Sequence, residues 1–217
     1  MTRRTFLGLT TGMVATAATF GLPSDAVAKY RPYPFFEMLL LAESIVAGTI
    51  LKVHRKHIVF EVQETLLGPT TSRDTIKIQK FRNWTCASRW APYHQGQTLV
   101  MVMRKYPDPS TDMLKAIGSG NEGELPWVDS KVYVRHLDHF NVANADVEHK
   151  IFGQGFYGTE VPEADFFAAL RGYRSHFERK PTQDEYMATA KAVSSAKERQ
   201  AYAAQSAFHQ ALVKVSM

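Results

Sequence analysis

One run of residues concentrates most of the chemistry this chain could perform: Phe81-Arg82-Asn83-Trp84-Thr85-Cys86-Ala87-Ser88-Arg89-Trp90-Ala91-Pro92-Tyr93-His94. It holds two of the three tryptophans, the one cysteine and a histidine. Trp84, Trp90 and Tyr93 offer flat faces to a sugar, a base or a planar cofactor, and tryptophan is also the best aromatic face for a cation. Cys86 with His94 offers a thiolate and an imidazole to a metal ion or a haem, although the Cys-x-x-Cys-His pattern of covalent haem attachment is absent. Against these uses stands a plainer one. Large aromatics plug the end of a small β structure, and a lone cysteine packs as a small hydrophobe.

A second group is His136, Asp138 and His139, with His149 further on. Imidazole and carboxylate suit Zn or Cu. A helix or tight turn would bring positions 136 and 139 together, whereas an extended strand would send them to opposite faces; a surface loop is the bland account. A third group, Asn121-Glu122-Gly123-Glu124, has the two carboxylates of a glycosidase acid and base. Such pairs need a fixed separation across a cleft. These share one short Gly-containing loop, which reads as solvated. The chain has no Gly-x-Ser-x-Gly elbow and no phosphate-cradling glycine loop of the P-loop or dinucleotide type.

The formal net charge is +5 over 217 residues, of which the first 28 carry +1. The basic residues are scattered rather than gathered in a stripe, which argues against nucleic acid as a partner. A hydrophobic content of 45% with 22% charged residues is that of a globular domain large enough to need no disulfide.

The first 28 residues read as an address. Thr2-Arg3-Arg4-Thr5-Phe6-Leu7 resembles the twin-arginine motif, centred on Arg3 and Arg4. A weakly apolar stretch to Leu22 follows, then Ala26-Val27-Ala28, the small-x-small pattern that precedes cleavage. The expectation is a cut between Ala28 and Lys29 and a periplasmic or secreted mature chain. The apolar stretch is too short and too polar for the roughly 20 residues of a membrane span, so no transmembrane segment is expected in the mature protein.

The elements that must position the aromatic stretch are short. Phe35 to Ala42 is apolar nearly all round and predicts a short buried helix. Ser44 to Val53 is rich in β-formers, and Ile58, Phe60 and Val62 alternate with Val59, Glu61 and Gln63 as in a half-buried strand. Thr75 to Phe81 is a third strand. Gln97 to Met103 is continuously apolar and predicts a central strand covered on both sides. Met113 to Ile117 reads as a strand, and Trp127-Val128 with Lys131 to Arg135 as a hairpin about Asp129-Ser130. Several short antiparallel strands with turns between them indicate a barrel or sandwich. Pro162 then opens a helix with Phe166, Phe167, Leu170, Tyr173 and Phe177 on one face. Thr182-Gln183-Asp184-Glu185 has capping-box form and predicts one long helix to about Val213. The division is a signal over 1–28, a β-barrel domain with a leading helix over 29–160 and a helical segment over 161–217.

Four pieces of this order resemble the netrin-like, or tissue-inhibitor-of-metalloproteinases-like, variant of the OB fold. Ala42-Glu43-Ser44-Ile45-Val46-Ala47-Gly48-Thr49 is similar to that group's opening strand. Phe60-Glu61-Val62-Gln63-Glu64-Thr65-Leu66-Leu67-Gly68 is similar to its second strand with a Leu-x-Gly ending. Cys86 falls at a mid-domain cysteine, and Gly96-Gln97-Thr98-Leu99-Val100-Met101-Val102-Met103 is similar to a later strand. The resemblance implies a small barrel used as a binding scaffold. The inhibitors of that group chelate a protease zinc through an N-terminal cysteine; here the expected N-terminus is Lys29-Tyr30, so protease inhibition does not carry over.

The expected fold is therefore mainly β, a small antiparallel OB-like barrel with a short N-terminal helix and C-terminal helices. The function these residues favour is an exported, non-enzymatic binding module of the cell envelope. Its partner would be an envelope protein or a small ligand, bound through Trp84, Cys86, Trp90, Tyr93 and His94, with no cofactor. The alternatives are a Zn or Cu protein or metalloenzyme using His136, His139 and His149 or Cys86 with His94, and an envelope glycan hydrolase.

Overall fold

The structure is a computed structural model that describes residues 32–105, 113–118, 122–135, 137, 147–180 and 188–217. Its barrel is made by β1 (Ser44–Val53), β2 (His57–Leu67), β3 (Thr75–Gln79), β4 (Thr98–Lys105) and β5 (Leu114–Ala116). The strands run in the order β1-β2-β3-β5-β4, and β4 pairs back onto β1 to close the ring. All neighbours are antiparallel except β3 with β5. This is an OB-like barrel.

Closure bends β1 hard. Its register on β2 slips three times, once between Ala47 and Gly48. A Cβ at Gly48 would lie 2.0 Å from the Glu61 carbonyl oxygen. Only glycine lets the two backbones approach so closely at the bend.

The sheet continues beyond β4 through β6 (Glu124–Val128), β7 (Lys131–Val134), β9 (Gln154–Pro162) and β8 (Val147–Ile151). Asp129 and Ser130, with φ of +52° and +57°, make the tight β6–β7 turn, whose twist suits a hairpin.

β4 decides the layering. Leu99, Val100, Met101, Val102 and Met103 are all fully buried, as their unbroken apolar run requires. Because side chains alternate, Leu99, Met101 and Met103 fill the barrel with Val46, Ile50, Ile58, Phe60 and Ile78. Val100 and Val102 face outward against the helices.

The outer layer begins with α1 (Phe35–Leu41), capped at its start by Pro34 and almost wholly buried. Beside it lies α2 (Glu163–His176), with Phe166, Phe167, Leu170 and Tyr173 inward. Arg174 ties the two: its Nη2 donates to the carbonyls of Leu39, Leu40 and Ala42 at 2.6, 3.0 and 3.0 Å. A guanidinium there satisfies carbonyls that the end of α1 leaves open.

The single long C-terminal helix expected from the sequence is not formed. In its place stand a strand pair, β10 (Phe177–Lys180) with β11 (Thr189–Ala192), and two short helices, α3 (Ala196–Ala203) and α4 (Ala207–Val215). Serines break the run. Ser195 caps α3 in a reciprocal box with Glu198, and the Ser206 hydroxyl accepts from the His209 amide at the start of α4. Free hydroxyls near a backbone compete with helix continuation. The Thr182–Glu185 box lies outside the described residues. This end is docked on the helical layer: Phe208 stacks on Phe166 at 5.3 Å and reaches Phe35 at 6.1 Å. Tyr173 and Ser216 share a buried hydrogen bond of 2.8 Å between their hydroxyls.

His209 is buried in this layer, edge-on to Tyr202 at 4.7 Å, with Nδ1 on the Ser206 hydroxyl and Nε2 unpartnered. Burial lowers its pKa below the ordinary 6.5, with Asp165 opposing in part. The neutral ring is the one the fold accepts, so its contribution is complete above pH 6.5 and is lost as pH falls through the lowered pKa. Urea unfolding at descending pH should show His209→Gln losing less stability than wild type. The difference cannot exceed about 1.4 kcal/mol per pH unit for one proton.

Candidate functional site

Residues 80–97 join β3 to β4 without forming a helix or strand of their own, yet they are firmly held. The anchor is Arg89. Its Nε donates to Glu124 Oε2 at 2.6 Å, Nη2 to Gln97 Oε1 at 3.1 Å, and Nη1 to the Ala91 carbonyl. The side chains of Arg89 and Glu124 are 4% and 0% exposed. The guanidinium lies 3.7 Å from the Tyr93 ring centre and 4.9 Å from that of Trp90. Tyr93 donates its hydroxyl proton to Glu124 Oε1 and accepts from the Phe81 amide at 2.8 Å. Desolvation, reinforced by the Glu124 charge, drives the Tyr93 pKa far upward, so the phenol stays protonated. Asn83 Oδ1 accepts from the Arg89 amide at 2.8 Å.

The aromatic stretch is therefore split by burial. Trp90 is 7% exposed and packs in the barrel end, T-shaped on Phe156 at 5.7 Å. Tyr93 belongs to the anchor. His94 is exposed, its edge against Phe152 at 5.1 Å and Nδ1 3.0 Å from the Gln95 carbonyl. Trp84 is 43% exposed. It starts a tight turn whose ends exchange hydrogen bonds, Trp84 amide to Ala87 carbonyl at 2.9 Å and the reverse at 3.1 Å. Cys86, on that turn, is exposed rather than packed as a hydrophobe.

Beside Trp84 opens a cleft of about 400 Å³, lined by Tyr33, Gln79, Lys80, Phe81, Arg82, Trp84, Arg104, Lys115 and Gly118. Four of these are cations. Lys80 reaches the His54 carbonyl at 3.3 Å. Lys115, at the barrel seam, has its pKa lowered by desolvation and then by Arg104. Gly118 has φ +122°, and a Cβ there would lie 2.2 Å from Glu122 Oε2, so the cleft floor needs glycine.

Glu122 and Glu124 are not on a solvated loop: they are 2% and 1% exposed. Glu124 opens β6 opposite Met101, and its carboxylate is committed to Arg89 and Tyr93. His149 is held within the sheet, Nε2 3.0 Å from the Gly158 carbonyl and its ring 4.8 Å from that of Tyr133. His136, Asp138, His139 and Asn121 lie outside the described residues. Among the described residues, no three His, Cys, Asp or Glu side chains gather as a metal set.

Sequence reasoning found Trp84 and missed the cations around it. Arg104 lies near the end of β4 and Lys115 at the middle of the three-residue β5, and only the β4–β5 register brings them together. The one signal available was Phe81-Arg82 within the aromatic run.

The buried pair makes a sharp prediction. Glu124→Gln or Arg89→Met should each destabilise the fold by about 3–5 kcal/mol in chemical denaturation, because each strands a buried partner. Trp90→Ala should also cost about 3–5 kcal/mol, whereas Trp84→Ala should stay within about 0.5 kcal/mol; equal losses for the two tryptophans would contradict the split described above.

Compared with protein-family models, curated proteins and solved structures, the chain matches none.

Proposed function

We propose that this chain is an exported, non-enzymatic binding module of the cell envelope, whose ligand enters the cleft beside Trp84. The observation that carries the reading is an exposed tryptophan fixed on a tight turn at the rim of that cleft. Binding energy concentrates in such rigid aromatic anchors, and a turn already held in place loses little freedom when a ligand arrives.

Export rests on Arg3-Arg4 and on Ala26-Val27-Ala28. A kinship with the netrin-like OB variant draws support from the closed strand order β1-β2-β3-β5-β4, in which small barrels commonly serve as binding scaffolds. Among the described residues, no helix is long and apolar enough to cross a membrane. The hydrolase alternative is weakened by the engagement of Glu124 with Arg89 and Tyr93. An acid already paired twice is poorly placed to transfer protons.

Native mass spectrometry of the protein recovered from the periplasm, after export on its own signal, tests the reading. The expected spectrum begins at Lys29 and carries an organic adduct that Trp84→Ala loses while its melting temperature holds. A metal-sized adduct would return the assignment to the histidine sites, and an adduct retained by Trp84→Ala would move the ligand elsewhere.

A further inference from the structure

Resting on that reading, we propose that the cleft is built for an acidic sugar: a ring stacked on Trp84 with its carboxylate or phosphate held between Lys115 and Arg104. The argument starts from the seam of the barrel. Lys115 stands directly opposite Arg104 in the β4–β5 pairing and directly opposite Gln79 in the parallel β3–β5 pairing. Residues opposite one another share a face of the sheet, and like charges placed so repel. All three line the cleft.

Lys115 is half-buried, and among the described residues it has no carboxylate partner. Burial and Arg104 both push its pKa down, so the charged ammonium is held there at a cost. An oxyanion seated between the two cations would turn that repulsion into attraction. Arg82 and Lys80 line the same cleft.

The other contacts choose the body of the ligand. Gln79 Oε1 is buried and unpartnered at the same wall, which suits a ligand hydroxyl as donor. Trp84, 43% exposed, lines the same cleft. Oxyanion, hydroxyl and an apolar ring face together describe an acidic pyranose, and a cleft of about 400 Å³ has room for one or two such rings.

The test follows the three tryptophan indole N–H resonances of the full mature chain during titration with glucuronate, glucose 6-phosphate, glucose or inorganic phosphate. The expected result is that glucuronate or glucose 6-phosphate shifts the Trp84 signal saturably while Trp90 and Trp127 hold still. The tighter of the two identifies the carboxylate or the phosphate as the natural group. Glucose and inorganic phosphate should bind more weakly, each lacking one part. Lys115→Met should weaken the acidic sugar about tenfold and, without ligand, melt above wild type, because the repulsion with Arg104 is gone. Lys197→Met on the exposed face of α3 removes the same charge and should do neither.

Glucose binding as tightly as its acidic relatives would overturn the anion site and leave a neutral-ligand module intact. Equal affinities for wild type and Lys115→Met would overturn the placement of the charge. An unmoved Trp84 resonance with both acids overturns the acidic-sugar assignment; the binding-module reading then stands or falls separately on the native mass spectrum.

Discussion

The ion pair between Arg89 and Glu124 is the contact on which the rest of the candidate site depends. Residues 80–97 have no regular backbone pattern to hold them, so side chains must supply what a helix or sheet would otherwise provide. Arg89 does most of this. It spans the Ala91 carbonyl, Gln97 at the entry to β4 and Glu124 at the entry to β6, and it lies over the Tyr93 ring. A buried pair of this kind gives little net stability compared with an apolar core. Its value is geometric: a planar guanidinium with several donors in fixed directions permits one arrangement of the loop. Trp84 inherits its position from that arrangement through Asn83, which accepts from the Arg89 amide.

The barrel and the helical layer are joined in much the same way, by one element serving two neighbours. β4 supplies Leu99, Met101 and Met103 to the barrel and Val100 and Val102 to the helices. The helical layer is itself tied by polar contacts at its margins, such as Arg174 on the end of α1 and the indole N–H of Trp127 on Glu163 Oε2 at 2.9 Å. The packed rings of Phe35, Phe166 and Phe208 fill the space between.

What could be read in the sequence was set by local patterns. The two-residue alternation of Ile58, Phe60 and Val62, the unbroken run from Leu99 to Met103 and the apolar block at Phe35 each reflect burial that the neighbouring residues alone reveal. The C-terminal segment misled because alanine-rich composition favours a helix, while the decisive features were two serine caps and the docking of Phe208 and Leu212. The site was half legible for a related reason. Aromatic side chains declare themselves by type, and Trp84 was found. Arg104 and Lys115 are ordinary strand cations until the antiparallel β4–β5 pairing sets them side by side, and the parallel β3–β5 pairing, made between distant segments, brings Gln79 to the same place. The same holds for Glu124, whose partner lies 35 residues earlier in the chain. No local pattern encodes such a meeting.

The contact of Phe35 with Phe208 has a kinetic consequence. α1 is apolar on nearly every side, and part of its cover, including Phe208 and Leu212, is formed near the far end of the chain. Until that cover arrives, Phe35 and Leu39 must remain exposed or find temporary partners. Contacts so distant in sequence carry a large loop-closure cost and slow the final step of folding. The barrel strands, whose pairings all fall between Ser44 and Ala116, can close earlier. In sequence terms the barrel is closed by local partners, whereas α1 draws part of its cover from the far end of the chain.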